Sequence, residues 1–459
     1  MLKTNPEIFK AYDIRGLYGI DLDEETAYRL GLAYCELRKS ELPEIESQPT
    51  IVVGRDMRIS SESLSKKLIE GLLDGGFNVV DVGLVSTPTF YFAVAHYGYD
   101  GGIIVSASHN PKEWNGFKLV REKALPISKD SGIFFLRDLV TSDKIFTKSQ
   151  KRGTLSAKES VVEAMAEEQI KIAQPIKLSA PLKVVIDPAN SMGSSYFDAL
   201  LKKLDWEIIK MNWELDGTFP AHEADPLKEE NMLDLCAKVK ETGADLGIST
   251  DGDGDRIFFV DDQGETIEPG IIRAILSKIF LKENPGATIA YDIRPGRITL
   301  DTILAEGGRP IVTPVGHSLI KAIAIKEGAV FAGESSGHFF TNTKEGCYEV
   351  PLVITMKLIN EIIGSGKTFS EYIQPYKKYF PSGEINSVVE NVKDKIAEIK
   401  KTFSDGQQNE LDGITVEYPD WWFNVRGSNT EPKLRLNLEA RTKELMEEKT
   451  AEILKIIRA

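Results

Sequence analysis

The run Thr250-Asp251-Gly252-Asp253-Gly254-Asp255-Arg256 sets three carboxylates at alternate positions. The intervening glycines let the backbone turn through φ > 0, so Asp251, Asp253 and Asp255 can converge on one hard divalent cation. Such a run ahead of an apolar strand is costly without a counterion, which argues against a merely solvated acidic loop. A calcium-binding EF-hand is excluded. Its sixth position falls on Arg256 where glycine is required, its twelfth on Asp262 where glutamate is usual, and strand-like segments flank it.

Val105-Ser106-Ala107-Ser108-His109-Asn110-Pro111 follows an apolar segment and ends in a proline that prevents immediate helix continuation. Ser108 and His109 therefore belong on a turn at a strand's carboxyl end, where open α/β sheets hold ligands. A polar turn in which the serine caps a backbone group accommodates the same residues. No G-x-S-x-G elbow is present, so acyl transfer is unsupported. The loop Gly333-Glu334-Ser335-Ser336-Gly337-His338 combines carboxylate, hydroxyl and imidazole groups suited to a polyol. His317 sits at a comparable strand end, where a lone histidine also serves structurally. Arg426-Gly427-Ser428-Asn429-Thr430-Glu431-Pro432 offers a guanidinium, hydroxyls, an amide and backbone N–H groups, which suit a phosphate dianion or an ordinary hairpin loop. Ile363-Gly364-Ser365-Gly366-Lys367-Thr368 imitates a Walker A loop, yet Glu361 stands where its first glycine is required and a helical segment precedes it.

These groups sit in an ordinary globular composition: of 459 residues, 42% are hydrophobic and 27% charged, which excludes a disordered or collagen-like chain. The net charge of −14 repels nucleic acid and acidic membrane surfaces, so local basic loops must capture any anionic ligand. No apolar run approaches a membrane span, and the start lacks a signal-peptide segment, so a cytoplasmic protein is expected. Cys35, Cys236 and Cys347 form no CxxC pair and are expected as small buried hydrophobes rather than a disulfide framework.

The elements that must position this chemistry alternate in βα rhythm. Apolar strands are expected at Thr50 to Val53, Val79 to Val82 and Gly102 to Val105, with a helix from Glu62 to Leu73. The rhythm restarts at Lys183 to Asp187, followed by a helix through Leu204, and again at Thr288 to Tyr291, Ile311 to Val315 and Ala329 to Ala332. A mostly parallel sheet follows from that order. Polar stretches, Lys148 to Glu159 and Asp261 to Glu268, are expected as connectors. From about Glu384 onward the pattern changes to a strand, a helix near Lys393 to Phe403, strands at Gly413 to Glu417, Trp421 to Val425 and Lys433 to Glu439, and a closing helix.

In this order the motifs resemble the α-D-phosphohexomutase superfamily, most closely its bacterial phosphomannomutase/phosphoglucomutase branch. The resemblance spans the whole chain and includes Phe9-Lys10-Ala11-Tyr12-Asp13-Ile14-Arg15-Gly16 and Asn115-Gly116-Phe117-Lys118. It implies an α/β fold of four domains round a central cleft: three α/β mixed-sheet domains of similar topology (1–155, 156–259 and 260–370) and a C-terminal α+β domain (371–459). By resemblance, Ser108 carries the phosphoryl group, and Asp251, Asp253, Asp255 and the Ser108 oxygen hold one Mg²⁺ per chain. Glu334, Ser336 and His338 would contact the sugar, and Arg426, Ser428, Asn429 and Thr430 the non-reacting phosphate. Tyr12, Arg15, His109, Lys118, Arg256 and His317 would line the cleft, with Lys118 the expected proton acceptor. The implied activity interconverts hexose 1-phosphate and hexose 6-phosphate, of mannose and/or glucose, with hexose 1,6-bisphosphate as intermediate and activator. A monomer or weak homodimer, with no nucleic-acid or membrane partner, is expected. Three rivals remain: a phosphoglucosamine mutase of the same superfamily, a metal-dependent phosphatase or phosphotransferase using an aspartate of the 251–255 loop as nucleophile, and a non-catalytic sugar-phosphate sensor, which a turnover assay separates. Ser335 stands where relatives selective for mannose and glucose phosphates commonly carry Met, and its small side chain excludes neither epimer.

Overall fold

Ile103, Ile104 and Val105 have no exposed surface, and the strand Gly101–Val105 is buried at every position, as a strand covered on both faces must be. It lies in a six-stranded sheet of order Ile14–Leu17, Trp114–Arg121, Gly101–Val105, Thr50–Arg55, Asn78–Leu84, Leu155–Ala157. Gly101–Val105 runs parallel to Thr50–Arg55 but antiparallel to Trp114–Arg121, so the sheet is mixed. The computed structural model describes residues 4–42, 48–177, 181–294, 296–427 and 433–459. They form two compact units, one of Met1–Ile267 with His338–Phe369, the other of Glu268–Gly337 with Ser370–Ala459.

In the first unit, the helix Ser61–Asp74 presents Leu64, Leu68, Leu72 and Leu73 to the core at helical spacing. A second mixed sheet has the order Thr266–Ile267, Ile257–Val260, Leu246–Thr250, Leu182–Asp187, Trp206–Lys210. Ile257–Val260 folds back antiparallel on Leu246–Thr250, so the Asp251–Arg256 loop is a hairpin connection at the edge of a parallel core. The segment 338–369 adds an antiparallel hairpin, Phe339–Asn342 with Cys347–Glu349, and the helix Pro351–Gly364. Gln169 Oε1 accepts from Leu352 N at 3.0 Å at the start of that helix.

The second unit contains the parallel strands Thr288–Asp292, Arg309–Thr313 and Phe331–Gly333. Its C-terminal sheet is antiparallel throughout, in the order Phe380–Val388, Lys433–Ala440, Trp421–Gly427, Ile414–Glu417, Gln407–Asn409. Leu434, Leu436, Leu438 and Ala440 alternate into its core, against Ile399, Ile453 and Ile457 of the helices Val392–Thr402 and Lys443–Arg458.

Two expected connectors contain strands. Leu155–Ala157 pairs with Asn78–Leu84, and Thr266–Ile267 with Ile257–Val260. The first is exposed at all its positions, so backbone pairing defines it and apolar alternation does not. Cys35 and Cys347 are buried as expected, whereas Cys236 is half-buried. Among the described residues no helix is long and apolar enough to cross a membrane.

Candidate active site

Ser108 follows the buried strand by three residues and adopts φ +52°, an uncommon conformation for a residue with a β-carbon. Its N–H donates to Ser106 Oγ at 3.0 Å, and its buried hydroxyl donates to Asp251 Oδ2 at 2.8 Å. His109 Nδ1 lies 3.3 Å from the same oxygen. Desolvation holds the His109 imidazole well below its usual value, and Arg256, Arg15 and Lys118 push it the same way, so it is neutral. The serine turn and the aspartate loop are in direct contact. A Cβ added to Gly252 would fall 2.2 Å from the Ser108 carbonyl oxygen, so this position admits only glycine.

Asp251, Asp253 and Asp255 are all buried, with ligand oxygens within 4.8 Å of one another. Asp251 Oδ1 accepts from the N–H groups of Asp255 (3.2 Å) and Arg256 (3.1 Å), which closes the loop on itself. Thr87, at the start of the helix Thr87–His96, donates through its hydroxyl to Asp253 Oδ2 at 2.6 Å. Lys118 Nζ, from the adjacent strand, donates to Asp253 Oδ2 and Asp255 Oδ2, both at 2.5 Å. Arg256 Nε stands 3.8 Å from Asp251 Oδ2 and donates to His338 Nε2 at 3.1 Å. His338 Nδ1 faces Glu349 at 3.3 Å and Asp255 at 3.5 Å.

Charge states follow from this packing. Burial, reinforced by Asp255 and Asp253, pushes the Asp251 carboxyl well above the usual range. Burial opposes the Asp255 charge too, but Lys118 and then His338 outweigh it and hold that carboxyl low. For Lys118, burial alone would favour the neutral amine, yet Asp253 and Asp255 prevail and keep it a firm cation. With no metal ion between them, the Lys118 ammonium is therefore paired with two carboxylates of the loop.

The donor set fits a hard divalent cation. Three carboxylates face two nearby cations, Lys118 and Arg256, and Asp253 Oδ1 and Asp255 Oδ1 are buried without a hydrogen bond.

Arg15 donates from Nη1 to Asn110 Oδ1 and from Nε to Asp13 Oδ2, both at 2.7 Å, and so lies against the serine turn. Tyr12 is half-buried in the bend just before it. The loop 334–338 is divided between the units: His338 belongs to the first, Glu334 and Ser336 to the second. Glu334 Oε1 accepts from Gly316 N at 3.0 Å, next to the half-buried His317. Arg294 Nη2 donates to Ser336 Oγ at 3.2 Å and stands 3.6 Å from Glu334, while its Nε pairs with Asp292. Ser335 turns inward, donating to Asp292 Oδ1 at 3.0 Å and accepting from Arg273 Nη1 at 3.2 Å. Arg426 donates to Glu384 Oε2 at 2.6 Å. The remaining predicted phosphate contacts, Ser428, Asn429 and Thr430, lie outside the described residues.

Sequence reasoning missed Arg58, Thr87, Glu349, Arg294, Asp292 and Glu384. Each reaches the predicted residues from another element. The one local signal was charge at a strand's carboxyl end, as in Asp56-Met57-Arg58 after Thr50–Arg55 and Asp292 with Arg294 after Thr288–Asp292.

Four domain descriptions of one family match the chain in order: phosphoglucomutase/phosphomannomutase alpha/beta/alpha domain I over residues 6–134, domain II over 160–264, domain III over 269–379, and the C-terminal domain over 384–456. A phosphomannomutase of Vibrio cholerae is 38% identical over 461 residues, covering 98% of each chain. One from Methanocaldococcus jannaschii is 38% identical over 453 residues, covering 98% of this chain and 97% of its own. A phosphoglucomutase/phosphomannomutase family protein of Burkholderia thailandensis has a solved structure that superposes with a TM-score of 0.87 at 31% identity, covering 99% of this chain and 98% of that one. An Aspergillus fumigatus N-acetylphosphoglucosamine mutase, solved with glucose 1,6-bisphosphate, shares the fold with a TM-score of 0.61 at 12% identity, covering 98% and 94%. With all four domains in order and full-length relatives well above chance identity, the chain belongs to the phosphoglucomutase/phosphomannomutase family.

Proposed function

We propose that the protein interconverts the 1- and 6-phosphates of glucose and mannose, with Ser108 as the phosphoryl carrier. The observation that carries this reading is the Ser108 hydroxyl: buried, at φ +52°, and 2.8 Å from an aspartate of a three-carboxylate cluster. Phosphoryl transfer needs positioning and charge neutralisation more than covalent chemistry from side chains. Asp251, Asp253, Asp255 and the Ser108 oxygen would hold Mg²⁺, which supplies positive charge beside the phosphoryl oxygens when bound. Lys118, Arg256 and Arg15 add positive charge in the first unit. Neutral His109, 3.3 Å from Oγ, is placed to hydrogen-bond the serine oxygen without adding charge.

The O6 hydroxyl of a hexose 1-phosphate attacks the phosphorus as the Ser108 Oγ–P bond breaks, and the proton that O6 loses balances the one that regenerates the Ser108 hydroxyl, which gives the 1,6-bisphosphate. The bisphosphate then turns over and returns the phosphoryl group on its C1 oxygen to Ser108, leaving hexose 6-phosphate. Glu334, Ser336, His338 and His317 would contact sugar hydroxyls, and Arg426 with Ser428, Asn429 and Thr430 the phosphate that does not react. Division of the chain near residues 155, 259 and 370 would give each of four domains one of these motifs.

A coupled assay on glucose 1-phosphate and mannose 1-phosphate, with a trace of bisphosphate, tests the activity. Intact mass with peptide mapping tests the phosphoserine. Activity of Ser108→Ala within tenfold of the parent would sink the reading in favour of a phosphatase that uses the aspartate loop.

A further inference from the structure

We propose that Arg58 is a positioning residue that fixes the backbone of the serine turn in its reactive geometry, with Asp56 holding Arg58 in place. The role rests on the reading of Ser108 as phosphoryl carrier. Both residues lie just past the strand Thr50–Arg55, and both side chains are fully buried. Arg58 Nη2 donates to the carbonyl oxygens of Ser108 (2.8 Å) and Asn110 (2.6 Å). Its Nη1 donates to those of Pro111 (2.7 Å) and Trp114 (3.0 Å). One guanidinium therefore gathers four carbonyls of the segment 108–114, while its Nε faces Asp56 Oδ2 at 3.2 Å. Phe219 packs over the guanidinium, 5.1 Å from ring centroid to Cζ. Asp56 is anchored in turn: its Oδ1 accepts from Arg58 N (3.0 Å) and Ser61 Oγ (2.5 Å), and its own N–H donates to Val105 O at 3.0 Å.

The turn needs such a clamp for two physical reasons. A left-handed conformation is unfavourable for a residue with a β-carbon, so Ser108 keeps it only if its surroundings impose it. The buried Ser108 carbonyl must also find a donor, and Arg58 supplies it, whereas Pro111 O has a second donor in Trp114 N at 3.0 Å. A planar guanidinium meets both needs, because its fork of five donors is rigid where a lysine ammonium is a mobile point charge. The clamp acts on the Ser108 carbonyl, which is wedged between Arg58 and Gly252 of the aspartate loop. Fixing that carbonyl fixes the direction in which Oγ leaves the backbone, toward Asp251. Arg58 touches neither Oγ nor any of the three loop carboxylates through a hydrogen bond in the described structure, so its effect is on geometry.

The test uses the full chain as Arg58→Lys and Arg58→Gly beside the parent and Ser108→Ala. It reads thermal midpoint, kcat and KM for glucose 1-phosphate, and the rate at which glucose 1,6-bisphosphate phosphorylates Ser108, followed by quenched intact mass. Arg58→Lys is expected to fold, to keep KM within about threefold, and to lose about 100-fold in kcat and in Ser108 phosphorylation, the scale of an ångström-sized misplacement. Added methylguanidinium is expected to restore Arg58→Gly by at least about tenfold and Ser108→Ala not at all. Arg58→Lys turning over and phosphorylating within threefold of the parent overturns the role, as does a loss that merely tracks the unfolded fraction. If Arg58→Gly does not fold, Arg58→Lys decides alone. A parent that turns over with Ser108 unmodified overturns the phosphoserine reading itself, and this role with it.

Discussion

The two units handle charge in opposite ways. In the first, the groups around Ser108 are interlocked: Asp251 is bonded to the serine and to its own loop, Asp253 to Thr87 and Lys118, and Arg58 to the serine turn. In the second, Arg426 and Arg435 share the partly exposed Glu384, which a phosphate would replace under the proposed function, while Arg294 stays tied to the buried Asp292. Under the proposed function the contrast separates chemistry from recognition. Reacting groups gain from a preorganised environment that does not relax during the reaction. Binding groups must exchange partners, and a carboxylate standing where a phosphate would bind keeps an arginine solvated and oriented at modest cost.

The comparison breaks most visibly at Ser108. Ser108→Ala is expected to lower kcat/KM by at least about 10³-fold with the fold retained and the thermal midpoint lowered by no more than the one hydrogen bond lost to buried Asp251. Retained turnover would place the chemistry elsewhere. Asp253→Asn comes next, at about 10²-fold in kcat with a raised Mg²⁺ requirement, measured by titrating activity against Mg²⁺. Full turnover of this variant in EDTA would remove the metal assignment. Arg426→Ala, in the second unit, should instead raise KM by about 10- to 30-fold and leave kcat nearly intact, the signature of lost uniform binding. An equal fall in kcat would show that Arg426 acts in the transition state and would erase the division between the units.

How much of this was legible in the sequence follows the same division. The aspartate loop and the serine turn are contiguous motifs, each complete within about seven residues, so spacing alone exposed their chemistry. Arg58 acts on carbonyls 50 to 56 positions away and Glu349 on His338 across a hairpin, and beyond charge at a strand's end neither carries a local pattern. Glu384 is the clearest case. It lies within a strand whose exposed positions read as ordinary surface, and only the pairing of Phe380–Val388 with Lys433–Ala440 brings it to Arg426 and Arg435. The edge strand Leu155–Ala157 escaped for a related reason, since its side chains are solvated and its identity is a backbone register. The core was readable because periodic burial of Leu, Ile and Val is itself the signal.

Glu384→Gln sharpens the idea that a phosphate replaces this carboxylate. With the competing charge gone, hexose phosphate should bind about fivefold tighter, the equivalent of about 1 kcal/mol for a partly exposed ion pair. Burial opposes the Glu384 charge, but Arg426 and then Arg435 hold its carboxyl below the usual range. Its contribution to stability is therefore complete above the ordinary glutamate value and is lost as pH falls below it. Thermal midpoints at pH 6 and pH 4 should drop further for the parent than for Glu384→Gln. A variant that binds more weakly, or that shares the parent's acid sensitivity, would show that Glu384 does no more than shape the sheet.

The smallest expected effect concerns the sugar itself. If the bisphosphate binds in two orientations related by roughly a half-turn, its C1 and C6 ends exchange, and O3 and O4 exchange with them. A loop that hydrogen-bonds O3 and O4 serves both orientations, whereas one that gripped the C2 substituent would favour a single orientation and stall the cycle. The second unit is built in keeping with the former. Glu334 and Ser336 are held by Gly316 and Arg294, and the residue between them, Ser335, is turned inward onto Asp292 and Arg273. Ser335 is engaged by the fully buried Asp292–Arg273 pair rather than by a partner that a sugar would displace, and a polar group that is read typically contributes about 1–3 kcal/mol of discrimination. Glucose and mannose differ only at C2, so kcat/KM for the two 1-phosphates should agree within about tenfold, or about 1.4 kcal/mol. Ser335→Ala should leave that ratio unchanged while lowering stability, because Asp292 and Arg273 lose a partner. A ratio beyond tenfold in the parent, or one that shifts in Ser335→Ala, would mean that the loop reads C2 after all and that the intermediate does not turn over between equivalent poses.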